Sequence, residues 1–189
     1  MSRFRRNIHG CHGIKRKVPV LNRGFVVTLV APLALIASMA TSAQTSIDYT
    51  KVTPANLEAK TPKGKLVNPY KDSQATIVAQ GSQLFRSYSC SGCHGGNGGG
   101  GICPPLTNGV WIYGGDDDTL FRLVTLGSDG LQKKGYTRKG LENVVAPMPP
   151  FGTAIKNADD LWKVLAFVRS KFDGDPKYKY GDPPDPPGR

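Results

Sequence analysis

The segment Cys90-Ser91-Gly92-Cys93-His94 places two thiols three positions apart and an imidazole directly after the second thiol. Thiols at this C-x-x-C-H spacing can add to the two vinyl groups of a porphyrin, and the adjacent histidine can then bind the iron. The pattern predicts one covalent c-type haem attached to Cys90 and Cys93. His94 is the predicted axial ligand.

Two other uses of these side chains remain open at this point. Zinc takes four sulfur or nitrogen ligands in a tetrahedron, and the available four are Cys90, Cys93, His94 and Cys103. However, the neighbouring Cys93 and His94 would both have to bend back onto one ion. A thioredoxin-like dithiol would need its C-x-x-C motif to open a helix, whereas residues 95–101 are six glycines and one asparagine, which disfavour a helix.

A second axial ligand is needed to complete the coordination of a haem iron. His9, His12, Met1 and Met39 all lie in a basic N-terminal leader, which leaves Met148 as the methionine of the remaining chain. Prolines on both sides of Met148 fix the backbone and remove hydrogen-bond donors. A stiff loop can aim one thioether at a metal, so we expect Met148 to bind the iron. The alternative is that Met148 fills a gap in the core.

Residues 1–43 have the composition of an export signal. Seven Lys and Arg residues and no acid precede a run at 25–37 that is almost wholly apolar. This run is shorter than the about 20 residues that cross a bilayer, and small residues at 41–43 suit a cleavage site. We expect a cleaved signal peptide, a periplasmic location and no membrane span in the mature protein. An uncleaved N-terminal anchor is the alternative.

The charge of the chain changes when the leader is removed. Taking the seven cations of residues 1–43 from the formal net charge of +11 leaves +4, a moderate value that gives no reason to expect nucleic-acid binding. Cys11 is lost with the leader, so Cys103 becomes an odd thiol. We expect Cys103 to be buried, because an exposed thiol cross-links in an oxidising compartment.

The remaining chain is predicted to contain an arm, a helical domain and a tail. Residues 44–73 have three prolines and scattered lysines without periodicity, which predicts an extended arm. Residues 74–173 form the predicted domain. Residues 174–189 are rich in proline, which predicts a flexible tail.

Three apolar patterns of helical spacing lie within this domain. One ends just before the haem motif, and a second spans 117–126 with Gly127 as its stop. The third follows a capping signal at Asn157. No strand alternation is present, so the predicted class is all-α.

Together these residues resemble the class I mono-haem cytochromes c over about residues 74–172. The resemblance implies a small fold of three to five helices around one haem. In that family a glycine and an aromatic residue of the first helix cross the last helix, because close approach needs a position without a side chain. Here they are Gly81 and Phe85, opposite Val164 and Phe167.

The resemblance also implies roles for residues after the haem motif. The family carries a Gly-Pro-x-Leu segment whose proline carbonyl accepts the ring N–H of the proximal histidine. Here the segment reads Cys103-Pro104-Pro105-Leu106. Pro104 is therefore expected to orient His94, and Leu106 to pack on the haem. Cys103 departs from the usual glycine, and the resemblance implies that its thiol lies beside the haem.

Residues 111–114 and 146–152 are similar to periplasmic cytochromes that accept electrons from pyrroloquinoline-quinone methanol and other alcohol dehydrogenases. This finer resemblance implies a monomeric electron carrier of methanol oxidation, with a dehydrogenase as donor and a cytochrome or terminal oxidase as acceptor. Iron bound by histidine and methionine has no open position, so we expect electron transfer and no enzyme activity.

Two other functional classes stay open. If Met148 does not bind the iron, an open site could serve an enzyme or a gas sensor. A haem subunit tethered in a respiratory complex is the other possibility. The basic residues before Met148 are expected to rim the haem edge and steer docking onto an acidic partner, or else to form a solvated loop: Lys133, Lys134, Arg138 and Lys139.

Overall fold

Helices account for all the regular structure in the part of the chain that the computed structural model describes, residues 47–181. They are α1 (Pro54–Lys60), α2 (Ala75–Ser87), α3 (Cys90–His94), α4 (Asp117–Lys133) and α5 (Ala158–Ser170), with short 3₁₀ helices at Tyr49–Lys51 and Pro176–Tyr178. The predicted all-α class is confirmed for these residues. The predicted signal peptide and residues 182–189 of the predicted tail lie outside them. No helix between residues 47 and 181 is both long and apolar enough to cross a bilayer.

Local side-chain caps set the beginnings of the two long helices of the second half. Asp116 accepts a hydrogen bond from the Thr119 amide at 2.8 Å, and Asn157 accepts one from the Asp160 amide at 2.8 Å. Caps of this kind contribute about 1 kcal/mol each. The predicted cap at Asn157 is confirmed. Gly127 has the left-handed backbone expected of a helix stop, but it only interrupts α4, which resumes and ends at Lys133.

The crossing of α2 and α5 depends on Gly81. A Cβ on Gly81 would lie 2.0 Å from Lys163 O and 3.0 Å from Phe167 Cβ, so no other residue allows this approach. Phe85 and Phe167 are buried beside the crossing, with ring centroids 5.1 Å apart. The crossing implied by the resemblance is present, and it places the end of α2 where the haem motif begins.

The N-terminal arm differs from its prediction. Instead of being extended, its centre forms α1, and Leu57 and Leu66 are buried in the same core as α5. A seven-residue helix is too short to show a clear period in the sequence and too short to be stable alone. Its stability comes from packing, which the local sequence does not reveal.

A buried ion cluster holds α1 against α4. Arg122 Nε donates to Asp118 Oδ2 at 2.9 Å, and Arg122 Nη1 pairs with the Glu58 carboxylate. The same guanidinium donates to the carbonyls of the two residues after α1, at 2.6 and 3.1 Å. Burial by itself would raise the pKa of Asp118, but hydrogen bonds from Arg122 and Tyr136 outweigh burial and lower it. The carboxylate therefore stays charged and the pair stays intact at neutral pH.

The beginning of the predicted flexible tail is anchored to the domain. The Tyr180 hydroxyl donates to Asp72 Oδ1 at 2.6 Å, a partner 108 positions away in the sequence. The Arg169 guanidinium lies 4.6 Å from the centroid of the Tyr180 ring. Proline content alone suggested mobility, and these long-range partners overturn that prediction as far as residue 181.

We expect Gly81→Ala to lower the free energy of unfolding by about 3 kcal/mol, because overpacking at a rigid contact forces backbone shifts. Gly96→Ala is the matched control, since nothing lies within 4 Å of a Cβ there. Denaturant unfolding of the haem-loaded full chain measures both variants. Equal stabilities would contradict the close crossing.

Candidate haem site

The haem motif forms the short helix α3, which follows α2 after two residues. Ser89, in this connection, has a left-handed backbone with φ 61°. Cys90 is buried, whereas Cys93 and His94 are half-buried. Residues three and four apart are neighbours on a helix surface, so α3 presents both thiols and the imidazole close together.

The His94 ring is oriented by a backbone carbonyl. His94 Nδ1 lies 2.8 Å from Pro104 O. Because a carbonyl can only accept, Nδ1 carries the proton and Nε2 keeps its lone pair. His94 also lines the large cavity beside α3. Nε2 is therefore the nitrogen available to a metal, and the carbonyl that holds the ring belongs to Pro104, the residue expected to orient His94.

The glycine-rich segment 95–101 folds back tightly onto α3. A Cβ at Gly95, where φ is +77°, would lie 2.5 Å from a carbonyl oxygen later in the loop, and one at Gly101 would lie 2.7 Å from Cys93 O. Side chains are excluded at both positions. This return brings residues 103–106 to the histidine. In the sequence these glycines indicated only that no helix follows the motif.

The cavity beside α3 brings the two predicted iron ligands to one place. His94 and Met148 both line it, and the wall is mainly apolar, with contributions from Leu106, Trp111, Leu120 and Val168. Arg138 adds a cation to the wall, which suits the carboxylate groups of a haem. An imidazole, a thioether and an apolar wall fit this group. Leu106, which is expected to pack on the haem, lines this cavity.

Cys103 lies between the haem motif and the cavity. It lines the cavity, and its amide donates to Cys93 O at 3.1 Å. Burial and a side-chain hydrogen bond with Cys93 raise the pKa of the Cys103 thiol to about 11. The thiol is protonated at neutral pH and so a weak nucleophile. It is half-buried rather than fully buried.

Both alternative uses of the motif are disfavoured by the structure. Burial raises the pKa of the Cys90 thiol to about 11, whereas a reactive dithiol needs a lowered pKa. Among residues 47–181, no group of three or more His, Cys, Asp or Glu side chains is placed to hold a metal ion. That finding argues against a zinc site at Cys90, Cys93, His94 and Cys103.

Of the four basic residues expected at the haem edge, Arg138 lines the cavity and the three lysines do not. Arg138 donates to the Glu142 carbonyl. Lys134 instead pairs with Glu58 on the α1 side, at 3.0 Å. Lys133 is exposed at the end of α4. Because Lys134 pairs with Glu58, we no longer expect it to steer docking at the haem edge.

The cavity also has a polar side, of which the sequence indicated Arg138 and the segment of Tyr113 but not Asn108, Gln132 or Glu142. Asn108 and Arg138 both donate to Glu142, to its carboxylate and its backbone carbonyl respectively. Gln132 Nε2 donates to the Tyr113 hydroxyl at 2.7 Å. All five residues line the cavity. Asn108, Gln132 and Glu142 come from separate segments, so no local pattern could have indicated them.

Comparison with known proteins identifies the domain. Residues 78–171 match the family model described as cytochrome c. With the haem motif and the helical fold, this match shows that the chain contains a cytochrome c domain. Such a domain carries a covalently bound c-type haem.

Relatives among curated proteins are subunits of cbb3-type cytochrome c oxidases. Subunit CcoP of Cereibacter sphaeroides is 36% identical over 71 residues, which cover 36% of this chain and 24% of the relative. Subunit CcoP of Azospirillum brasilense is 34% identical over 68 residues, covering 32% and 23%. Subunit FixP of Azorhizobium caulinodans is 38% identical over 55 residues, covering 28% and 18%. The chain thus spans at most about a quarter of the length of these relatives.

The three cysteines of the domain allow a direct test of attachment. We expect the Cys90→Ala/Cys93→Ala double variant to lose haem under denaturing conditions, because no thiol at the motif spacing remains. Cys103→Ala is the matched control and should keep its haem. Intact-mass measurement of protein from a host with cytochrome c maturation machinery reads out both. Haem retained by the double variant, or lost from the control, would contradict the assignment.

Proposed function

We propose that this protein is a periplasmic one-electron carrier whose haem iron is bound by His94 and Met148. One observation carries the proposal: both side chains line one cavity, and the hydrogen bond to Pro104 leaves His94 Nε2 for the iron. Bound haem would supply an iron couple that gains and loses a single electron. With an imidazole and a thioether as ligands, no coordination position is left for a substrate.

The residues of the chain set the conditions for this exchange. The apolar wall around Leu106, Trp111 and Leu120 excludes water. The thioether of Met148 favours the reduced state relative to a second histidine. Orientation of His94 by Pro104 keeps the imidazole in place during repeated oxidation and reduction. These residues bind and orient, and none acts as a base or nucleophile.

The proposed donor is a quinoprotein alcohol dehydrogenase, and the acceptor is a cytochrome or a terminal oxidase. The similarity of residues 111–114 and 146–152 to cytochromes that serve such dehydrogenases supports the donor. The basic, apolar leader supports a periplasmic location. A carrier must dock briefly on each partner, so its interface should bury less than about 1,200 Å².

A second candidate is a haem subunit that delivers electrons within a respiratory complex. It is favoured by the similarity to subunits CcoP and FixP of cbb3-type oxidases. In this reading the leader would stay attached as an anchor. Mass measurement of the N-terminus, together with co-migration of the protein with an oxidase on native gels, distinguishes a subunit from a free carrier.

The carrier function is tested by adding oxidised protein to a quinoprotein alcohol dehydrogenase with its alcohol and following reduction of the haem. Oxygen uptake by membranes that contain a cbb3-type oxidase, supplied with the reduced protein, tests the acceptor side. The proposal expects rapid, saturable reduction by the dehydrogenase. Reduction no faster than with an unrelated flavoprotein would contradict that donor, and oxidase turnover alone would favour the second candidate.

Val145 marks the mouth of the cavity, because it lines the cavity and yet is 88% exposed. We expect Val145→Glu to slow electron transfer with the partner about tenfold, since a carboxylate in the centre of a small interface loses its hydration. Val67→Glu is the control, because Val67 is 66% exposed and lies outside the cavity. The bimolecular rate constant in the same assays is the readout. Equal rates for both variants would exclude docking at this mouth.

A further inference from the structure

The loop that carries Met148 is attached to an interruption in α4. Gly127 has φ 72° and ψ 173°, so the helix is broken there and resumes at Ser128. In an unbroken helix the Ser128 amide would bond to the Val124 carbonyl. Here Val124 O accepts from Phe151 N at 2.9 Å, and Thr125 O accepts from Gly152 N at 3.0 Å. The break therefore leaves the Val124 and Thr125 carbonyls to accept hydrogen bonds from the loop.

Ser128 contacts the Met148 backbone on both sides. The Ser128 amide donates to Met148 O at 2.9 Å, and the Met148 amide donates to Ser128 Oγ at 3.0 Å. Ser128 is only 9% exposed, so little water competes for these bonds. The pair of bonds fixes both the position and the rotation of the Met148 peptide groups.

Every backbone N–H group of the Met148 loop, residues 147–152, donates a hydrogen bond to α4. Because residues 147, 149 and 150 are prolines, residues 147–152 offer three backbone N–H groups. All three donate to α4, at Val124, Thr125 and Ser128. A Cβ on Gly127 would lie 2.6 Å from Met148 O, so the contact also needs glycine at the break.

We propose that Ser128 is a positioning residue for the iron ligand Met148, an inference that rests on the proposed function. The flanking prolines stiffen the loop but provide no donor to attach it. Ser128 supplies that attachment at the ligand itself. By holding the Met148 backbone, it keeps the thioether at the iron when another ligand competes for the same position.

The test is competition by imidazole in the oxidised, haem-loaded full chain. We expect Ser128→Ala to increase the apparent affinity for imidazole about tenfold. The variant leaves the Met148 amide without its acceptor, and the free-energy cost of one such buried unpaired group corresponds to about that factor. Displacement is followed by the weak long-wavelength absorption band of ferric iron bound to a thioether. Ser128→Thr keeps the hydroxyl and should restore most of the resistance. Ser87→Ala is the control, because its hydroxyl bonds only to a carbonyl on the exposed side of α2.

Met148→Ala separates the failure of this inference from the failure of the proposed function. If Met148→Ala keeps the absorption band, Met148 is not the ligand. That result would contradict both the proposed iron ligation and the positioning role of Ser128. If Met148→Ala loses the band while Ser128→Ala binds imidazole like the wild type, only the positioning role of Ser128 falls.

Hydrogen exchange provides a readout that needs no variant. In the reduced wild-type protein the Met148 amide should exchange slowly, like those of Phe151 and Gly152, because all three are bonded to α4. A Met148 amide that exchanges as fast as an open loop would overturn the inference even if Ser128→Ala fails to fold.

Discussion

The hydrogen bond between His94 Nδ1 and Pro104 O is the interaction around which the rest of the site is arranged. It fixes the tautomer of the imidazole, and so decides which nitrogen is left for a metal. To form it, the chain must turn back within ten residues of the haem motif. The glycines of segment 95–101 allow that return, since a side chain at Gly95 or Gly101 would overlap the backbone. The orientation of the His94 ring is therefore set by backbone contacts.

On the Met148 side of the cavity, a glycine again allows two backbone segments to approach closely. A glycine with positive φ, Gly127, opens α4 and lets the Met148 loop approach the helix backbone. The prolines around Met148 remove donors, and the three remaining amides all bond to α4. Behind both sides, the crossing at Gly81 fixes α2 against α5 and so places α3. Glycine provides close approach at each of these three points.

Local sequence signals were sufficient for the haem motif and the cap at Asn157, because each depends on a few residues near one another. The crossing at Gly81 was expected only from the resemblance to class I cytochromes c, since its partners are far apart in the sequence. Local signals were insufficient where the partners are distant. The helical arm is held by Arg122 through Glu58 and Asp118, and the start of the tail by Asp72. Gly127 was recognised as a stop, but a break that serves another loop looks identical in sequence.

The central claim is that His94 and Met148 bind one haem iron from the two sides of the cavity. X-ray absorption at the iron edge of the haem-loaded protein tests it most directly. The account predicts one sulfur neighbour besides the nitrogens in both oxidation states, and loss of that sulfur in Met148→Ala. A wild-type spectrum without sulfur would contradict it. So would a sulfur that persists in Met148→Ala, which would point to Cys103 at the cavity wall as the source.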